Sequence, residues 1–213
     1  MVKAIVFDLW GTIVETGVNP SPSKQVKYFL RVNAPFSDFI LTFEHSFMTQ
    51  EFESLKAGFE NVVTDFNLRL PEFVYEKLVG MWNKNTILSK MYPEAEEVLA
   101  DLRKSGYKIF LLANIDKFSY DQVKEKFKLE EIFDKVYPSF QTGLLKLNPE
   151  SFNKILEEND LEAKDLVMVG DSVDSDIKAA EKAGITGILL DRNNKREYEN
   201  KIISLDQLKE QLK

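Results

Sequence analysis

The chain has 213 residues, 44% of them apolar and 30% charged, and a formal net charge of -7. That length suits one α/β core with a modest insertion or two small domains, and the apolar share is enough for a packed core and argues against disorder. The acidic balance disfavours a general nucleic-acid binder, which draws affinity from counterion release. Small phosphorylated molecules stay allowed, since a bound metal reverses the local sign. There is no cysteine and a single histidine, His45, which excludes disulfides, thiolate catalysis, Cys-ligated zinc and His clusters. Chemistry falls to carboxylates, lysines and hydroxyls. No apolar run reaches membrane-spanning length. The chain enters a strand directly after its first residues, so no signal peptide and a cytoplasmic location are expected.

Ala4-Ile5-Val6-Phe7 is a continuous apolar run closing on Asp8, the pattern of a buried parallel strand, and Gly11 permits a sharp turn after it. Residues 16–23 read as a loop. From Ser23 to about Leu88 the spacing becomes helical. Phe36, Phe39, Phe43 and Phe47 fall on one helix face, and Phe73, Leu78 and Trp82 form a second apolar series. Both series read as core packing rather than ligand contact. A helix is predicted over Pro93–Lys104, stopped at Ser105-Gly106. There follow a strand (Tyr107–Leu112), a helix (about Tyr120–Phe127), a short strand (Val136-Tyr137) and a helix (Pro149–Glu158). A strand over Leu166–Val169, a helix over Ser172–Ala183, a strand over Gly187–Leu190 and a tail helix over Ser204–Lys213 complete the chain. Strands alternating with helices predict an α/β fold, a Rossmann-like parallel sheet with helices on both faces. The helical stretch is too long for a simple crossover. An all-helical cap over 16–91 is therefore expected on a core of 1–15 and 92–213.

In an open parallel sheet, ligands bind at the carboxyl ends of the strands. Polar punctuation falls there: Asp8 after the first strand, Asn114 and Asp116 after the second, Lys146 after the third, Asp171 with Asp174 and Asp176 after the fourth. Acids converging from separate strands repel each other unless a cation sits between them. Hard oxygen ligands with open positions favour magnesium.

Four segments in order resemble the motifs of the haloacid dehalogenase superfamily: Phe7-Asp8-Leu9-Trp10-Gly11-Thr12, Ala113-Asn114, Lys146-Leu147-Asn148-Pro149, and Val169-Gly170-Asp171-Ser172 with Asp176. The resemblance covers essentially the whole chain, and the helical insert matches the family's helical cap. It implies that Asp8 is a nucleophile toward phosphorus or carbon and that Lys146 balances charge beside it, with Thr12 in the same catalytic set. It places Ala113 and Asn114 at the substrate-binding pair. Asp8, the backbone carbonyl of Trp10 and Asp171 become the Mg2+ ligands, with Asp176 in support. Asp174 and Arg31 read as surface charges. Glu15 and Asp116 read as solvated residues, held in reserve as substitute acids.

Two positions depart from the phosphatase pattern. Trp10 stands where those enzymes carry a second Asp as general acid, and Ala113 replaces a hydroxyl residue that binds the phosphoryl group. Three functions are therefore weighed. The first is a magnesium-dependent phosphatase acting on a small phosphorylated metabolite through an aspartyl-phosphate. The second is a 2-haloacid dehalogenase, whose halide leaves without a proton. The third is a catalytically impaired binding protein of the same fold.

Overall fold

The computed structural model describes residues 2–212. Strand β1 (Ala4–Phe7) is fully buried and lies at the centre of the sheet, parallel to β4 (Lys108–Ala113) on one side and β6 (Leu166–Gly170) on the other. Beyond them lie β5 (Lys135–Pro138), β7 (Thr186–Leu190) and β8 (Lys201–Ile202), giving the order β5-β4-β1-β6-β7-β8 with every pairing parallel. Residues of β1 alternate between two cores, as strand geometry requires. Ile5 and Phe7 pack with Leu111, Val169 and Leu99, whereas Ala4 and Val6 pack with Phe110, Met168 and Phe152. The chain runs from β1 to one side of the sheet and then crosses to the other. The ends of β4, β1 and β6 therefore border the crevice where such sheets bind ligands.

Four helices fill the stretch after β1: α1 (Pro22–Leu30), α2 (Phe36–Met48), α3 (Leu55–Asp65) and α4 (Glu72–Leu88). Phe39, Phe43, Phe47, Phe59 and Trp82 form their shared core, with Phe43 and Phe47 rings 5.4 Å and 5.2 Å from the Trp82 ring. Two members of the predicted apolar series lie off this core. Phe73 is 58% exposed and Phe36 36%, because each sits in the first turn of its helix, before the helices close on one another. The stretch joins the sheet through a two-stranded antiparallel pair, β2 (Val14–Glu15) and β3 (Lys90–Met91).

The remaining helices flank the sheet: α5 (Ala95–Lys104), α6 (Lys117–Phe127), α7 (Leu129–Ile132), α8 (Ser139–Thr142), α9 (Glu150–Glu158), α10 (Lys178–Lys182) and α11 (Leu208–Gln211). Three local readings are corrected. The helix predicted from Ser172 begins as a π-helical turn, Val173–Ile177, before α10. The tail helix starts as a 3-10 turn, Leu205–Gln207, and the last residue of its predicted span, Lys213, lies outside the described residues. Strand β8 was not predicted, since two residues carry no readable period. Among the described residues no helix is long and apolar enough to cross a membrane.

Candidate active site

Asp8 leaves the carboxyl end of β1 and is 4% exposed. Its Oδ2 accepts a hydrogen bond from Thr12 Oγ1 at 3.1 Å, and its Oδ1 accepts one from Lys146 Nζ at 2.5 Å. Thr12 is thus bonded to the carboxylate itself. Lys146 is buried, and its Nζ also lies 2.6 Å from Asp176 Oδ1. Burial opposes the lysine's charge, but Asp176 and Asp8 together outweigh it and hold the ammonium above its ordinary range. The Asp8 carboxyl is pushed up to about 6 by burial, against the pull of Lys146.

Two glycines let the other acids approach. Gly11 has φ +84°, and a Cβ there would run into Asp171 Oδ2. A Cβ on Gly170 would collide with the Asp176 carboxyl. The π-helical turn brings Asp176 back over the end of β6, where its Oδ2 accepts from the Ser172 backbone N–H at 2.9 Å. Such turns recur at functional sites. One ligand atom each from Asp8, Asp171 and Asp176 falls within 4.8 Å of the others. Burial, and then the charges of Asp8 and Asp176, push Asp171 up to about 7. Asp176 Oδ1 is buried without a hydrogen bond of good geometry, despite the nearby lysine. Three oxygen-bearing acids with a single lysine among them fit a hard divalent cation by charge and donor type.

The second motif is divided in its behaviour. Ala113 is buried at the end of β4 and presents only a methyl group. Asn114 is polar on both sides: its Oδ1 accepts from the Lys146 backbone N–H at 2.9 Å, and its Nδ2 donates to Glu44 Oε2 at 2.7 Å. Glu44, on α2, was not among the residues singled out from the sequence. Its one local signal is its place four residues after Ile40, on the flank of the Phe39–Phe43–Phe47 stripe. Glu44 lines a cavity of about 160 Å³ with Trp10, Ser23, Asn114 and Asp116. It also lines a larger cleft of about 670 Å³ that includes Lys24, Leu147 and Ser172.

Asp116, expected to be solvated, is 3% exposed. Its Oδ1 accepts from the Ser119 backbone N–H at 3.0 Å, capping α6, and its Oδ2 accepts from Trp82 Nε1 at 2.8 Å. The indole arrives from α4, thirty-four positions away, which no local pattern discloses. Glu15 is exposed on β2. Asp174 is exposed and paired with Lys178 at 2.8 Å, and Arg31 is exposed in the left-handed C-cap of α1.

A buried acid, lysine and threonine at one strand end, with two further acids from the neighbouring strand, define a hydrolase-type centre on a Rossmann-like sheet. The family model of the haloacid dehalogenase-like hydrolases matches residues 2–184, and the chain belongs to that family. It is 25% identical over 195 residues to a glyceraldehyde 3-phosphate phosphatase of Pyrococcus abyssi, covering 87% of this chain and 79% of that one. Among solved structures, a HAD phosphatase from Thermococcus onnurineus is similar at 25% identity and a TM-score of 0.63, covering 99% of this chain and 98% of the other. A 2-haloacid dehalogenase from Pseudomonas syringae shares the fold, with a TM-score of 0.66 at 19% identity over 100% of this chain and 98% of that one.

Proposed function

We propose that the chain is a magnesium-dependent phosphohydrolase that acts on a small phosphorylated metabolite through an aspartyl-phosphate on Asp8. The observation that carries this reading is the convergence of Asp8, Asp171 and Asp176 within 4.8 Å, three acids that share the one buried ammonium of Lys146. Asp8, Asp171, Asp176 and the Trp10 carbonyl would hold Mg2+. When bound, the ion supplies positive charge that neutralises a phosphoryl group beside the acids. The chain's own residues do the rest. Thr12 and Lys146 fix both oxygens of the Asp8 carboxylate, and Lys146 keeps a cation against the nucleophile. Asn114, braced by the Lys146 backbone, borders the substrate side.

A dehalogenase reading is less well supported. A haloacid brings its own carboxylate, and the acids Asp8, Asp171 and Asp176 would repel it at close range without an intervening cation. The similarity to the Pyrococcus enzyme suggests three-carbon phosphates as the first substrates to try. The test is a panel of phosphate esters and 2-haloacids with and without magnesium, on the wild type and Asp8→Asn. Magnesium-dependent phosphate release that vanishes in Asp8→Asn is the expected result. Halide release would make the chain a dehalogenase, and neither release would make it a binding protein.

A further inference from the structure

With Trp10 at the position of the usual acid, no carboxyl on the loop after β1 faces the departing oxygen. Asp116, which lines the same cavity, has both oxygens engaged as acceptors, from Ser119 and from Trp82. Glu15 is exposed on β2. Glu44 differs from both. It lies on α2 and lines both cavities, one with Trp10 and Asn114 and the other with Ser172. Asn114 holds its Oε2 at 2.7 Å, and among the described residues no lysine or arginine pairs with it. Its Oε1 has no hydrogen-bond partner in the protein among those residues, leaving it available to a ligand.

We propose that Glu44 is the general acid, a catalytic residue supplied across the cleft by α2 in place of the acid that Trp10 displaces. This deepens the phosphatase reading and rests on it. As Asp8 attacks phosphorus, the bond from phosphorus to the alkoxy oxygen breaks. The electron pair stays on that oxygen, which takes the Glu44 proton and departs as an alcohol. Water then attacks the aspartyl-phosphate and gives a proton back to Glu44. The phosphorus–Asp8 bond breaks, and phosphate and the free carboxylate are restored.

Burial pushes the Glu44 carboxyl up to about 7, against the pull of Lys146 and the Asn114 hydrogen bond. That range suits a proton donor at neutral pH. The charged groups near it are Lys146, Asp176 and Asp8, which act on it through charge, Asp116 in the lining of the smaller cavity, and Lys24 and Asp174 in that of the larger cleft.

The experiment is a rate series on glycerol 3-phosphate, p-nitrophenyl phosphate and acetyl phosphate, at saturating magnesium, for wild type, Glu44→Gln and Glu44→Asp. Glycerol 3-phosphate releases an alkoxide that needs a proton, whereas acetyl phosphate releases a carboxylate that does not. The expected result is that Glu44→Gln loses ~10²–10⁴-fold more on glycerol 3-phosphate than on acetyl phosphate. Its alkyl-phosphate profile also loses the fall in rate that the wild type shows above about pH 7. Glu44→Asp, which keeps an acid, recovers part of the alkyl-phosphate rate. An equal loss on all three substrates, or no loss, overturns the assignment while leaving the phosphatase reading intact. A wild type that turns over none of the three overturns both.

Discussion

Replacing Lys146 by Met keeps the length of the side chain and deletes its charge. The ammonium lies 2.5 Å from Asp8 and 2.6 Å from Asp176, and the three side chains are exposed by only 6%, 6% and 0% in the order Lys146, Asp8, Asp176. Breaking a buried ion pair by removing one partner typically costs about 3–5 kcal/mol, because the other charge is stranded. Here two carboxylates are stranded, and both face Asp171. For a chain of this size each kcal/mol moves Tm by about 2–4 °C, so metal-free Lys146→Met at pH 8 should melt roughly 6–20 °C below wild type. The sign with pH follows from Asp8, whose folded pKa is already raised from 3.8 to about 6 and rises further without the lysine. A raised carboxyl pKa leaves folding unpenalised below the unfolded value and costs stability as pH climbs through the folded one. The deficit should therefore shrink at pH 5, where Asp8 takes up a proton. Calorimetry of both proteins in chelator at pH 5 and pH 8 measures it. A deficit under about 1 kcal/mol, or one equal at both pH values, would refute the picture of acids held ionised together by this lysine.

Magnesium at a hundred times its dissociation constant should stabilise the wild type by about 2.7 kcal/mol, and Asp171→Asn should lose most of that gain. Equal magnesium binding by the two in isothermal titration would show the site to be elsewhere. In a Glu44→Gln background, Trp10→Asp should restore turnover of glycerol 3-phosphate by returning an acid to the loop after β1. Steady-state rates on the double variant check this, and a double variant no faster than Glu44→Gln would count against it. Trp82→Phe removes the donor to Asp116 Oδ2 and should destabilise the protein by about 1–3 kcal/mol, read by urea unfolding. A loss below 0.5 kcal/mol, taken as roughly half of an ordinary hydrogen bond, would mean that water replaces the indole.

The sheet was readable because its strands are buried on both faces, so β1, β4 and β6 appear as apolar runs that end where acids or amides begin. The same punctuation picked out Asp8, Asn114 and Asp171, which follow their strands directly, whereas Lys146 lies beyond α8 rather than at the end of β5. Asp176 depended on more: the spacing suggested it, but only a π-helical turn and the bare Gly170 bring it over the strand. Asp116 was misread because its burial depends on an indole delivered by α4. Glu44 was missed for a related reason. Its meaning comes from Asn114, seventy positions away, and a polar residue beside a phenylalanine stripe looks like an ordinary helix flank. β2, β3 and β8 are two residues each, too short for any period to register.

The chain holds two tryptophans, and both line the cavity that Glu44 borders. Trp82 is 7% exposed, its ring wedged among Phe43, Phe47 and Phe59 and its N–H on Asp116 and Ser119 at the start of α6. Trp10 is half-buried and also lines a second cleft, with Asp171 and Arg192, that Trp82 does not line. The protein therefore carries two indole reporters, both on one cavity and one of them also on the cleft beside Asp171. With Trp10 changed to Phe, indole emission follows the seating of the four helices on the sheet together with what enters the shared cavity. With Trp82 changed to Phe, it follows the shared cavity and the cleft beside Asp171, so a ligand confined to that cleft changes the second signal and leaves the first, without any added label.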